Sequence, residues 1–228
     1  MPSGRRRRSD PGAGTIGQAW EMFGMFDDDL VRDSVERADA FQRALVATLC
    51  LNRAAVLAAT DRADREVAGL CRLIDDSLEY CRARAVGAPP RIGPELLATR
   101  FRDILGPDDL PFEEPDGVAA WYIDVVSIAD YVVRTWNEPD AGDSRCFDVL
   151  VACYSLAGML QDDPRTPSSW ELAELETARQ ISDLRAVDGL AEPIGPDRLG
   201  ALLAASQPLR EAYARRFQDV LSDHEFGL

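Results

Sequence analysis

The chain has 228 residues and a formal net charge of -15, and every one of its basic residues is arginine, since no lysine occurs. With 46% apolar residues it can bury a sizeable core in a single domain. A body this acidic repels phosphate backbones and anionic lipid, which argues against nucleic-acid binding and favours basic partners.

The N-terminal stretch RRRRSDPGAG is basic and low in complexity, and residues 1–18 are expected to form a solvated, disordered tail. Arg5, Arg6, Arg7 and Arg8 are the one place where nucleic acid or a membrane surface could be touched. GAGTIG at 12 to 17 matches the G-x-G-x-x-G spacing, but no buried strand precedes it, so the match is coincidental. Trp20, Phe23, Met25 and Phe26 in QAWEMFGMF then offer a short amphipathic anchor, a cover for the end of the bundle or an exposed partner site.

From Asp27 to about Thr60, the residues Leu30, Val31, Val35, Ala38, Phe41, Leu45, Leu49 and Val56 recur at helical steps, which predicts one long helix opened by Asp27, Asp28 and Asp29. A second helix is expected over about 62–85, ending at the breaker GAPPRIGP, and a third over 95–105. The loop GPDDLPFEEPDG follows, and then VAAWYIDVVSIADYVVRTW at 118–136. Its length and its one-sided Asp124, Ser127, Asp130 and Arg134 read as a helix carrying an Asp130 to Arg134 ion pair.

NEPDAGDS is a turn with Asp143 or Ser144 as cap for a helix over 145 to about 162, apolar nearly all round and therefore central. Asp148 near its start is accounted for by the helix end. Ser168 and Glu171 make a capping box that opens the next helix, SSWELAELETARQISDLRAV. A Gly/Pro linker at 189–197 leads to two shorter helices over about 197–205 and 208–222. The expected fold is all-α, a single bundle of about seven to eight helices with two central, largely buried ones. Its parts are a tail (1–18), a helical core (19–188) and a C-terminal helical extension (189–228) packed on that core.

Cys50, Cys71, Cys81, Cys146 and Cys153 are an odd set without C-x-x-C, and no secretory signal precedes them. They read as reduced core residues of a cytoplasmic protein. The longest apolar run, VLVACYSLAGML, is too short to cross a bilayer. Trp121, Tyr122, Trp136 and Tyr154 fall on apolar helix faces and read as core. The lone histidine, His224, stands close to the C-terminus and cannot anchor a triad or a zinc site.

The D-D-x-x-E of LCRLIDDSLEY supplies Asp75, Asp76 and Glu79, the ligand type of a Mg²⁺ or Mn²⁺ site. On a helix, Val67, Leu70, Leu73, Ile74, Leu78 and Cys81 form the apolar face, and the three acids centre roughly 165° away, toward solvent. Arg72 to Asp76 and Glu79 to Arg82 are expected pairs on that wet face. The later E-x-x-E of Glu171 and Glu174 is the nearest complement for a metal.

The segments ALVATLCLNRAAVLAAT, LCRLIDDSLEYC, WYIDVVSIADYVV, FDVLVACYSLAGML and SSWELAELETARQISDL, in that order over about residues 40–188, resemble the YjaG-like family of all-helical bacterial proteins. Asn52 and Arg53 stand where the resemblance leads one to expect an acid followed by Arg. The tail before 27 and the helices after 189 have no counterpart. The resemblance implies a helical fold and brings no established activity.

These observations lead to a non-enzymatic cytoplasmic protein, monomer or homodimer, that needs no cofactor. It would act by binding a protein partner of basic character, in the manner of an acidic immunity or inhibitor protein. The alternative is a metal-dependent helical hydrolase of a nucleotide or diphosphate, with Mg²⁺ or Mn²⁺ on Asp75, Asp76 and Glu79. A third reading is a structural dimer that buries Trp20, Phe23 and Phe26.

Overall fold

A computed structural model describes residues 28–60, 65–106, 118–161 and 172–225, and among these residues every regular element is helical. The order is α1 (Asp28–Arg37), α2 (Ala40–Ala54), α3 (Leu57–Thr60), α4 (Arg65–Ala85), α5 (Pro94–Leu105), α6 (Val118–Asn137), α7 (Gly142–Gln161), α8 (Leu172–Val187), α9 (Pro196–Ala205) and α10 (Gln207–Glu225). A 3-10 turn, Pro139–Ala141, joins α6 to α7. Arg5 to Arg8, GAGTIG, Trp20, Phe23, Phe26 and the Ser168 to Glu171 box lie outside the described residues.

The count of ten among the described residues differs from the expected seven to eight, and the excess comes from the first predicted helix, which is three. The Asp39 carboxylate accepts the backbone N–H of Gln42 at 2.8 Å, while the Gln42 side chain accepts the backbone N–H of Asp39 at 3.1 Å. This reciprocal box starts α2 afresh. The apolar period gives no sign of it, because Val35, Ala38 and Phe41 keep a helical step across the break. A second break follows at Ala55 and Val56, between α2 and α3.

α2 is a third central helix beside α6 and α7. It packs against α4, α6, α7 and α8, and from Phe41 to Ala55 only Arg43 is not buried. Full burial of Leu45, Leu49 and Leu51 is worth about 1.5–3 kcal/mol for each side chain. One polar contact pins the helix in the core: Trp136 Nε1 donates to Thr48 Oγ1 at 2.9 Å, with the indole edge-on to Phe41. Tyr122 and Trp121 of α6 take Phe217 of α10 edge-on, so the last helix is packed on the same core through Tyr213, Phe217 and Val220. All five cysteines are buried, and none forms a disulfide.

Helix ends are settled by local chemistry. α4 stops at Gly87, whose φ of 69° closes a Schellman turn, with Ala88 N–H on Ala83 C=O and Gly87 N–H on Arg84 C=O. α5 and α9 each begin with proline after glycine. The segment between α8 and α9 is tied across the end of α4 by Ile194 N–H on Ala85 C=O.

In a chain without lysine, arginines close several C-termini. Arg43 donates to Val35 and Glu36 carbonyls at the end of α1, Arg216 to Leu160 at the end of α7, Arg198 to Ala186 at the end of α8, and Arg179 to Ala205 at the end of α9. Cations at the negative ends of helices satisfy orphan carbonyls and complement the helix dipole. No helix among the described residues is long and apolar enough to cross a membrane.

Candidate functional site

Two polar clusters meet at the C-terminal end of α2, one around Arg53 and one around its neighbour Asn52. Arg53 is 1% exposed, and burial alone would lower its pKa. Cys50, Glu176 and Asp183 outweigh that and hold the pKa well above the ordinary arginine value. Arg53 Nη2 and Nε reach the Glu176 carboxylate at 2.6 and 3.0 Å, and Nη1 reaches Asp183 Oδ2 at 2.5 Å. The other oxygen of Asp183 accepts Nε of Arg179 at 2.9 Å, so two guanidinium groups meet two carboxylates.

Further contacts join the network, and Gln180 Oε1 is the acceptor in it left without a partner. Tyr213 OH donates to Glu176 Oε2 at 3.2 Å, Gln180 Nε2 donates to Glu176 Oε1 at 3.1 Å, and Arg53 Nη1 lies 3.4 Å from Ser206 Oγ. Burial first, and then Glu176, push the Tyr213 hydroxyl well above its ordinary pKa, so it stays a proton donor. The network ties α2, α8 and α10 together. With Arg53, Glu176, Gln180 and Asp183 all buried, no substrate reaches it.

Cys50, Cys153 and Glu176 present ligand atoms within 4.8 Å of one another, a spacing that could hold a metal ion. The guanidinium already stands among them, with Arg53 Nη2 3.1 Å from Cys50 Sγ and 2.6 Å from Glu176 Oε1. A metal ion would face that positive charge, so the group is better understood as a closed ion network. The Cys153 thiol is pushed well above its ordinary pKa, first by its hydrogen bond with Cys50 and then by burial.

Asp75, Asp76 and Glu79 do not act as one set. Asp75 is exposed. Asp76 is taken by Arg100 of α5, whose Nη1 lies 2.7 Å from Oδ2, in place of the expected Arg72. Glu79 is half-buried and lines a groove with Asp75, Leu78, Arg82, Leu199 and Arg210, between α4, α9 and α10. The expected Glu79 to Arg82 pair is replaced as well, because Arg82 Nη2 donates to Asn52 Oδ1 at 2.6 Å. The helices facing these acids bring arginines. The expected Asp130 to Arg134 pair is present at 2.8 Å and lies in a second groove, between α5 and α6.

Around Asn52 the accounting is incomplete. Asn52 is fully buried, yet its Nδ2 has no hydrogen-bond partner, and the shielded Nε atoms of Arg82 and Arg210 have none either. Burial, and then the nearby charge of Arg210, lower the Arg82 pKa from its ordinary value.

Sequence reasoning passed over Arg53, Glu176, Gln180 and Asp183. The signal was there: Ala173, Glu176, Gln180, Leu184 and Val187 step by three and four, so the polar members stand in core phase. Nothing in one sequence pairs them with Arg53, more than 120 positions earlier. Comparisons with protein-family models, curated proteins and solved structures found no match to this chain.

Proposed function

We propose that this protein works without catalysis, by binding a partner with an arginine- or lysine-rich surface. The observation that carries this reading is where the charges lie. Among the described residues, exposed Asp and Glu outnumber exposed Arg about two to one. The imbalance has a structural origin, because Arg53 and Arg216 are buried, and half-buried Arg43 and Arg179 are turned onto helix-end carbonyls. The exterior is thus more acidic than composition alone requires, and such a field speeds encounter with a basic partner while discouraging acidic ones.

The strongest polar network supports the same reading, since it is closed to solvent and serves to hold helices together. Affinity capture from native lysate at low salt is the test. The expected result is a stoichiometric partner of basic composition that 0.5 M NaCl releases. Recovery of no stoichiometric partner, or of an acidic one held equally at high salt, would overturn the reading.

A further inference from the structure

The groove between α4, α9 and α10 brings two arginines together, with Asp75 the acid that acts on Arg82. Arg82 and Arg210 both line it, and Arg210 is near enough to act on the charge of Arg82. Their Nε–H groups are shielded from water and lack acceptors, and so does the amide of buried Asn52, which Arg82 holds in place through Oδ1. Buried donors without acceptors are rare because each costs about 1–3 kcal/mol. Two guanidinium groups side by side add like-charge repulsion. Glu79 lines the same groove and ion-pairs with neither arginine.

We propose that this groove is a binding site for a compact oxyanion, a carboxylate or phosphate group, received by Arg82 and Arg210 with the Asn52 amide behind them. Forked guanidinium donors suit the paired oxygens of such a group. The remaining walls, Leu78, Leu199 and Leu203, are apolar and accommodate a small hydrophobic body attached to the anion. Gly200 keeps the α9 side open, since a Cβ there would meet nothing within 4 Å. Glu79 and Asp75 at the same groove penalise ligands with several negative charges and favour a single anionic group.

Thermal melts of the full chain in low-salt buffer free of phosphate test the site. Inorganic phosphate, benzoate and phenyl phosphate are each added at about 10 mM and compared with sodium chloride at matched ionic strength. A rise of about 3 °C is expected for at least one oxyanion, as for a Kd near 1 mM, and none for chloride. Comparing phosphate with benzoate tells the two oxyanion classes apart.

Arg210→Gln should abolish the rise and, by relieving repulsion on Arg82, should itself melt higher than the parent in anion-free buffer. Gly200→Leu should fold normally and lose the response by filling the groove. The site is overturned by any of four results: no rise with any oxyanion, a rise that chloride reproduces, a rise that either variant keeps, or an Arg210→Gln protein that melts lower than the parent without anion.

Discussion

Asn52 and Arg53 are consecutive on α2, yet they belong to clusters built on opposite rules. Around Arg53, two guanidinium groups face two carboxylates, with Tyr213, Gln180 and Ser206 taking up remaining donors and acceptors. Around Asn52, two arginines share one groove and the shielded Nδ2 of Asn52 and Nε atoms of Arg82 and Arg210 have no acceptor. The first arrangement balances its charges within the chain and is closed to solvent, although Gln180 Oε1 is left without a partner, so its output is helix register. The second adjoins a groove through Arg82 and Arg210, where the proposed oxyanion would supply the missing acceptors. In an acidic molecule rich in spare carboxylates, lack of compensation is the more informative property of an arginine.

The comparison breaks most visibly if the closed cluster is opened. Arg53→Ala leaves Glu176 and Asp183 with a buried charge short of its partner, and a loss of about 3–5 kcal/mol is expected. For a chain of this length that is a fall in melting temperature of roughly 10 °C or more. Replacing Arg53→Met with Glu176→Leu and Asp183→Leu should cost less than the single change, because no fully buried charge remains and Arg179, left without Asp183, is part-exposed and keeps the Ala205 carbonyl. Urea titrations of both variants decide the matter, and a triple variant less stable than Arg53→Ala would show that the cluster stabilises by attraction rather than by completeness.

How much of this was legible follows from the physics of each signal. The helices were, because Leu45 and Leu49 of α2, or Leu70, Ile74 and Leu78 of α4, repeat at the helical step whatever surrounds them. The start of α2 was not, because the Asp39 and Gln42 box is a local hydrogen-bond choice that leaves the period undisturbed. The outward direction of Asp75 was legible from its angle on the helix, but Arg100 and Arg210 arrive from other helices and reassign Asp76 and the Glu79 groove. Glu176 and Asp183 sat in core phase, and the error was to look for chemistry only among carboxylates that point outward.

A smaller effect separates the clusters by pH. Burial pushes the Cys81 thiol, next to Arg82, up to about 12, and Cys153 beside the closed network is likewise held well above its ordinary value. The native state keeps these protons after the unfolded chain has lost them, so stability falls as pH rises above the ordinary thiol value. The loss for Cys81 runs from about 9 to about 12, at about 1.4 kcal/mol per pH unit for one thiol. Cys81→Ala and Cys153→Ala should each flatten the alkaline decline by that one-proton slope. If Cys81→Ala leaves the slope unchanged, the thiol is not desolvated as its full burial beside Thr48 implies.

The smallest effect uses the same chemistry as Arg53 in a different place. Arg100 and Asp76 pair at 2.7 Å, close to the separations in the buried network, but their side chains are 42% and 33% exposed. Solvent screens the attraction, and two mobile side chains must be ordered to make it, so Arg100→Ala should cost no more than about 1 kcal/mol and less still in 0.5 M NaCl. Equal geometry with unequal cost is what the contrast between the clusters demands, since the penalty lies in the desolvated partner left behind. A salt-insensitive loss of several kcal/mol for Arg100→Ala would place the cost in the bond itself, and Arg53 would then differ from Arg100 only in its number of bonds.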